Sequence, residues 1–191
     1  MGKAQKHGMI RTIEESVARF AGETTRRKVM EGSEEMTEDT DLREIALWVK
    51  GAMDRLDKLA DQGTRIQIME NCGYGCASVN RRYIEEAIAG RRTYKNIDDF
   101  IEGEQRTYNM YREGDVVYQV YSPQTQGVRC NCELVQALPE DETISPTYCH
   151  CSKGFVKRWW EGVLERPVKV DLIQSVVSGA QECKFAIHLQ S

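Results

Sequence analysis

No stretch of this 191-residue sequence approaches the roughly 18 consecutive apolar residues that a membrane-crossing helix needs. The N-terminus, Met1-Gly2-Lys3-Ala4-Gln5-Lys6, lacks the hydrophobic core of a secretion signal. A cytoplasmic protein without membrane partners is the expectation. A long Lys/Arg stripe is missing too. With a net charge of −4 and a pI near 5.5, the chain has little with which to displace counterions from nucleic acid. The short basic runs Arg26-Arg27-Lys28, Arg81-Arg82 and Arg91-Arg92 read as solvated helix faces. There is no internal repeat, no low-complexity tract and no Ser/His/Asp arrangement among the three histidines. Cysteine, in contrast, is plentiful: seven residues, an odd number, and none in a Cys-x-x-Cys unit. In a reducing compartment such thiols suit metal or chemistry better than a disulfide framework.

Hydrophobic residues at 40 % and charged residues at 29 % are ordinary for a globular protein, and the length suits one domain over 1–191. Three parts are expected within it: an N-terminal helix and acidic loop over 1–40, a helical part over 41–107, and a sheet with a C-terminal helix and hairpin over 108–191. The class is therefore α/β of the α+β kind, a helical N-terminal half packed on an antiparallel sheet.

Helical spacing of Ile10, Ile13, Val17, Phe20 and Ala21 predicts a first amphipathic helix. The stripe Leu42, Ile45, Ala46, Val49, Ala52, Met53, Leu56, Leu59, Ala60 predicts a second, with Asp41 and Glu44 as a capping box and Gly63 as its stop. In Cys72-Gly73-Tyr74-Gly75-Cys76 the two glycines predict a bend, with a helix resuming near Ser78 and carrying Val79, Tyr83 and Ala87 inward. A short helix from Asn96 should bury Ile97, Phe100 and Ile101. Tyr108–Tyr111 and Val116–Tyr121 then read as a hairpin, and 127–135 as a third extended segment. The last third predicts a cysteine-rich turn, a helix halted before Pro167, and two strands joined around Ser178-Gly179-Ala180-Gln181.

Six cysteines fall into three close couples: Cys72 with Cys76, Cys130 with Cys132, and Cys149 with Cys151. Four apart on a helix, or two apart on a strand, both thiols of a couple face one way. That favours a shared metal over a strained bridge within Cys-x-Cys. Zinc is the default ion for a thiolate set, and an iron–sulfur cluster uses the same ligands. The candidate metal ligands are Cys72, Cys76, Cys130, Cys132, Cys149, Cys151 and Cys183. His150, between two cysteines in an extended segment, should point away from them, and His188 should lie on the outer strand face.

The stretch from Tyr148 to Leu189 resembles the ligand-binding domain named after 4-vinyl reductase, which also forms the sensor of phenol-responsive transcription activators. The matching residues are Cys149, Glu165-Arg166-Pro167-Val168, Val170-Asp171-Leu172 and Gly179-Ala180-Gln181-Glu182-Cys183-Lys184-Phe185. The resemblance implies a vinyl-reductase-like fold with zinc ligands at Cys149 and Cys183. The family's other two ligands fall near Asp171 or Leu172 and at Ser175, where its cysteine is absent. Cys72, Cys76, Cys151 or the Cys130–Cys132 couple would then complete the set. The helical N-terminal half and the Gly-x-x-x-Cys-x-Phe hairpin are also similar to 2-amino-thiazoline-4-carboxylate hydrolase-like proteins.

Two functions compete on these residues. In the first, an apolar or aromatic small molecule binds between the C-terminal helix and the sheet, lined by Tyr148, Phe155, Trp159 and Trp160, beside a zinc staple. In the second, an open metal or an activated thiolate among Cys72, Cys149 and Cys151 hydrolyses a small heterocycle, with Glu70, Asp171 or His150 as the base. Redox work by a cluster needs the cysteines alone. Analogy with the sensors adds a homodimer.

Overall fold

The computed structural model describes residues 5–123 and 130–190. Its first helix, α1 (Gly8–Val29), buries Ile10, Ile13 and Val17 and kinks at Gly22. In α2 (Leu42–Leu59) the middle of the predicted stripe is buried, Ile45, Ala46, Val49, Ala52, Met53 and Leu56, while its ends Leu42 and Leu59 are exposed at the helix termini, and the Asp41 carboxylate accepts from Arg43 N–H at 2.8 Å. Then come α3 (Gln62–Val79), α4 (Arg81–Arg91) and α5 (Ile97–Glu104), the last capped by Asn96, which accepts from Asp99 N–H at 2.9 Å.

Strands β1 (Met110–Glu113) and β2 (Val116–Tyr121) form the predicted hairpin, turned at Gly114 with φ 58°. A single helical turn, α6 (Glu133–Gln136), and a 3-10 turn at Pro146–Cys149 lead into α7 (His150–Leu164). Strands β3 (Lys169–Gln174) and β4 (Cys183–His188) complete a four-stranded antiparallel sheet in the order β1-β2-β4-β3. The molecule is thus α+β. Among the described residues no helix is long and apolar enough to cross a membrane.

Two apolar clusters divide the interior. One gathers α1, α2 and α3 with Cys130, Leu134, Ile144 and Tyr148. The other packs α7 against one sheet face, joining Trp159, Trp160 and Val163 to Val117, Val170, Phe185 and Ile187. Trp160 is fully buried, and its indole N–H donates to Gln119 Oε1 at 3.0 Å.

Helices α3 and α7 cross between these clusters at unusually short range. A Cβ on Gly73 would overlap Cys151 O and lie 2.6 Å from Phe155 N; one on Gly154 would overlap Glu70 O. The predicted bend at Gly73 and Gly75 is therefore replaced by unbroken helix. The missing side chains serve close approach, Gly73 to α7 and Gly75 to Thr12 of α1.

Other expectations are corrected by caps and breaks. Gly63 lies in the first turn of α3, because Asp61 caps that helix by accepting from Thr64 N–H at 3.1 Å, and α2 has already stopped at Leu59. Val79 is 87 % exposed, because the helix ends there and restarts as α4 after Asn80. Of the extended segment predicted over 127–135, residues 127–129 lie outside the described residues. Glu133–Gln136 is helical instead, burying Leu134 and Val135.

Candidate thiol-rich centre

The Pro146–Cys149 turn carries Cys149, and local chemistry explains its shape. Ser145 accepts from Thr147 N–H at 3.1 Å, and Pro146 occupies the first helical position, where a missing N–H costs nothing. Asp57 of α2 anchors this turn from outside. It accepts from Ser145 Oγ at 2.5 Å, Thr147 Oγ1 at 2.7 Å and Arg65 Nη1 at 2.9 Å. Burial works to raise the Asp57 pKa, but the bonds from Ser145 and Thr147 and the Arg65 charge outweigh it and hold the carboxyl below its ordinary value.

Asp57→Asn is therefore expected to cost about 2 kcal/mol at neutral pH, the scale of hydrogen bonds to a charged group. A depressed folded pKa gives stability that is present above the unfolded value, near ~3.9, and lost as pH falls through the folded one. The gap between wild type and Asp57→Asn, followed by urea unfolding, should narrow below about pH 4.

Cys149 and Cys151 are two apart in helical backbone, not on a strand. Two residues turn a helix by about 200°, so the thiols face opposite ways. This corrects the expectation for the Cys149–Cys151 couple, while Cys72 and Cys76, four apart within unbroken α3, keep the shared face expected of them; Cys132 acts on both Cys149 and Cys151.

On the Cys149 side lie Ser175, Cys183, Cys130 and Cys132. Burial pushes the Cys149 thiol up to about 11 against a hydrogen bond from Ser175, with Cys183, Cys130 and Cys132 adding to the rise. Burial likewise raises Cys183, opposed by Val176 N–H, which donates to its sulfur at 3.4 Å. Cys130 is raised by burial, and Cys132 N–H donates to its sulfur at 3.5 Å.

On the opposite side Cys151 meets the α3 thiols. Its interaction with Cys76, then burial, push it well above the usual thiol range. Cys72 is buried between helices, donating to Ser16 Oγ at 3.5 Å, and burial raises it to about 12. Tyr148 stands between the two groups. Its hydroxyl is 3.7 Å from Cys132 Sγ, and burial, followed by the charges of Cys132 and Cys151, holds the phenol far above its ordinary value.

All seven cysteines are free thiols. Among the described residues, no three His, Cys, Asp or Glu side chains stand in a ready ligating arrangement. The donor chemistry on the Cys149 side nevertheless suits a soft tetrahedral ion. Four sulfurs come from three distant segments, and N–H donors already point at two of them, as they do around metal thiolates.

The remaining candidates fall elsewhere. Trp159 and Trp160 are fully buried with ring centroids 5.0 Å apart, and Phe155 stacks on Tyr83. None of these, nor Tyr148, lines either of two surface clefts. One cleft, of about 460 Å³, lies among Arg91, Arg92, Lys95 and Arg166. The other, of about 370 Å³, is lined by Arg65, Thr147, His150, Leu172, Ser175 and Ser178, and so adjoins Cys149 through Ser175. His150 opens α7, so the extended geometry expected for it gives way to helix. Burial, then the Lys153 charge, lower its pKa. Lys153 itself pairs with Glu70, removing that carboxylate from easy duty as a base. On the outer sheet face, where alternation with Ile187 and Leu189 placed it, His188 Nε2 lies 2.8 Å from Asp171 Oδ2.

Asp57 and its two hydroxyl donors were not anticipated. The Ser-Pro step before Cys149 was the available signal, since it marks a helix start that would have placed Cys149 and Cys151 on opposite faces.

Among known proteins, no curated sequence and no solved structure matches this chain. One family matches residues 4–191, described as a family of unknown function (DUF6144). That match takes in every thiol-bearing segment, and the chain belongs to the DUF6144 family.

Proposed function

We propose that this chain is a small-molecule-binding domain organised by a zinc ion held on Cys130, Cys132, Cys149 and Cys183. The observation that carries the reading is that Cys149, in the turn before α7, feels the charges of Cys183 at the start of β4 and of Cys130 and Cys132 before α6, with backbone N–H groups donating to Cys130 and Cys183. An ion would draw the thiols together. Cys130 and Cys132 lie outside helix and strand, so that movement disturbs no strand ladder and bears only on the start of the single-turn α6, where Gln136 N–H donates to Cys132 O at 3.0 Å. Four thiolates close the coordination sphere and make the ion a staple. The cleft through Ser175 and His150 is then the natural place for the small molecule, since its wall includes the residue bonded to Cys149.

Metal analysis of protein purified without chelator tests this reading. One equivalent of zinc is expected, and cobalt replacing it should show strong thiolate charge-transfer bands. Cys149→Ser and Cys183→Ser should lose both signals, while Cys72→Ser should keep them. Colourless protein that carries no metal and gives no cobalt bands would end the proposal. A brown protein would replace zinc by an iron–sulfur cluster.

A further inference from the structure

The wider of the two clefts, about 460 Å³, opens where α4 ends, α5 begins and α7 ends. Its wall carries Arg91, Arg92, Lys95 and Arg166 against a single acid, Glu165. Such a concentration of cations stands out in a chain of net charge −4. The sequence alone places only the first three near one another. Arg166 arrives from beyond α7, because Glu165 ends that helix in the left-handed region, at φ 54°, and reverses the chain. The Leu189 carbonyl then accepts from Arg166 Nη2 and holds the guanidinium in place.

Basic residues at a helix end ordinarily answer the helix dipole, and both α4 and α7 end here. Magnitude separates that role from a ligand site. Each C-terminus presents roughly half a negative charge, so two helix ends and Glu165 together offset about two of the four cations. Neither Arg91 nor Lys95 makes an ion pair among the described residues. Arg91 Nη1 donates to the Tyr94 carbonyl at 3.1 Å, which leaves its charge uncancelled, and Lys95 is exposed. Arg92 pairs with Glu165 at 3.0 Å, but the two side chains are 70 % and 67 % exposed, a setting in which an ion pair is weak and yields to a better partner. The acids in the first turn of α5 are engaged elsewhere, Asp98 with Arg112 and Asp99 with Asn96.

The floor of the cleft is apolar, made by Ile88 of α4, Ile97 of α5, and Val163 and Leu164 of α7. Gly162 lets α4 settle against α7, since a Cβ there would lie 2.8 Å from Ile88 Cδ1. An apolar floor with a few placed charges, at this volume, is the make-up of a small-molecule site. A guanidinium fork matches phosphate oxygens two at a time, and a phosphate monoester at neutral pH carries about −1.5 to −2 charge, close to what the wall leaves unbalanced.

We propose that this cleft binds a small phosphate monoester, its phosphate among Arg91, Arg92, Lys95 and Arg166 and its apolar body on Ile88 and Leu164. The site is separate from the thiols and stands without the zinc reading.

Calorimetric titration of the full chain with phenyl phosphate, at neutral pH and with chelator present, tests it. One equivalent should bind, about tenfold tighter than inorganic phosphate, which has no ring to bury, and phenol, which has no charge, should give no heat. Arg91→Gln and Lys95→Gln should each weaken binding about fivefold, and Arg91→Lys less than Arg91→Gln. Glu165→Gln, which removes the competing acid, should tighten binding about twofold. Arg81→Gln with Arg82→Gln, at the other end of α4, is the control and should bind as wild type does. Lys95 is exposed, so its variant keeps the test decisive even if Arg91→Gln fails to fold. Absence of binding, binding undiminished in Lys95→Gln, or an equal loss in the control overturns the proposal. None of these results bears on the zinc reading, because chelator removes the ion from every sample.

Discussion

Gly73→Ala should destabilise the protein by ~3 kcal/mol or more, at the upper end of what overpacking costs, because its added carbon meets backbone. A flexible side chain could swing aside, but the Cys151 carbonyl and the Phe155 amide are held in the first turns of α7. The helices must therefore separate along their length, and every contact between them loosens. Gly154→Ala meets the Glu70 carbonyl from the other side and should cost as much. The effects of the two substitutions should not add, since either one already opens the same crossing. Gly90→Ala in α4 is the control. Nothing lies within 4 Å of its new carbon, and alanine's helix preference should raise stability by up to about 1 kcal/mol. Urea unfolding of the three variants checks these values, and a Gly73→Ala protein as stable as wild type would refute the crossing.

Trp160→Ala is expected to cost about 4 kcal/mol, the range for emptying a buried indole site. It removes a ring packed against Trp159 and also leaves Gln119 Oε1 without its donor in a fully buried position. Trp160→Phe separates the two contributions. It keeps most of the volume and loses the N–H, so about 2 kcal/mol of destabilisation should remain, the cost of stranding one buried acceptor. Thermal or urea denaturation measures both. If Trp160→Phe proves neutral, the bond to Gln119 contributes nothing to stability.

The elements that were legible in the sequence are those whose cause is local. The stripe from Ile45 to Leu56 specifies its helix within a few turns, Asn96 marks the start of α5 through its own side chain, and Gly114 permits a tight hairpin turn. Gly73 was misread because one residue type serves two opposite purposes. Glycine loosens a backbone when it stands alone and fixes a contact when another helix arrives, and the arriving helix is far away in the chain. The cysteines show the same division. That seven thiols in such a chain serve a shared purpose is a statement about composition, but which of them face each other depends on whether 149–151 is strand or helix. The structure makes it helix, which moves Cys151 away from Cys149 and toward Cys76. Of the aromatic residues assigned to a pocket, Trp159 and Trp160 are packed between α7 and the sheet, while Tyr148 lies in the other apolar cluster and half-buried Phe155 stacks on Tyr83.

The crossing of α3 and α7 also governs when the protein can fold. Tyr74 reaches Glu161 across 87 positions of sequence, and the apolar cluster around α1 and α2 borrows Tyr148 and Cys151 from the same late segment. During synthesis the glycine face of α3 therefore waits, bare, until α7 has left the ribosome. Contacts of such long sequence separation form slowly. The first hundred residues released without the remainder should be a loose helical assembly, in need of a chaperone until their partner emerges.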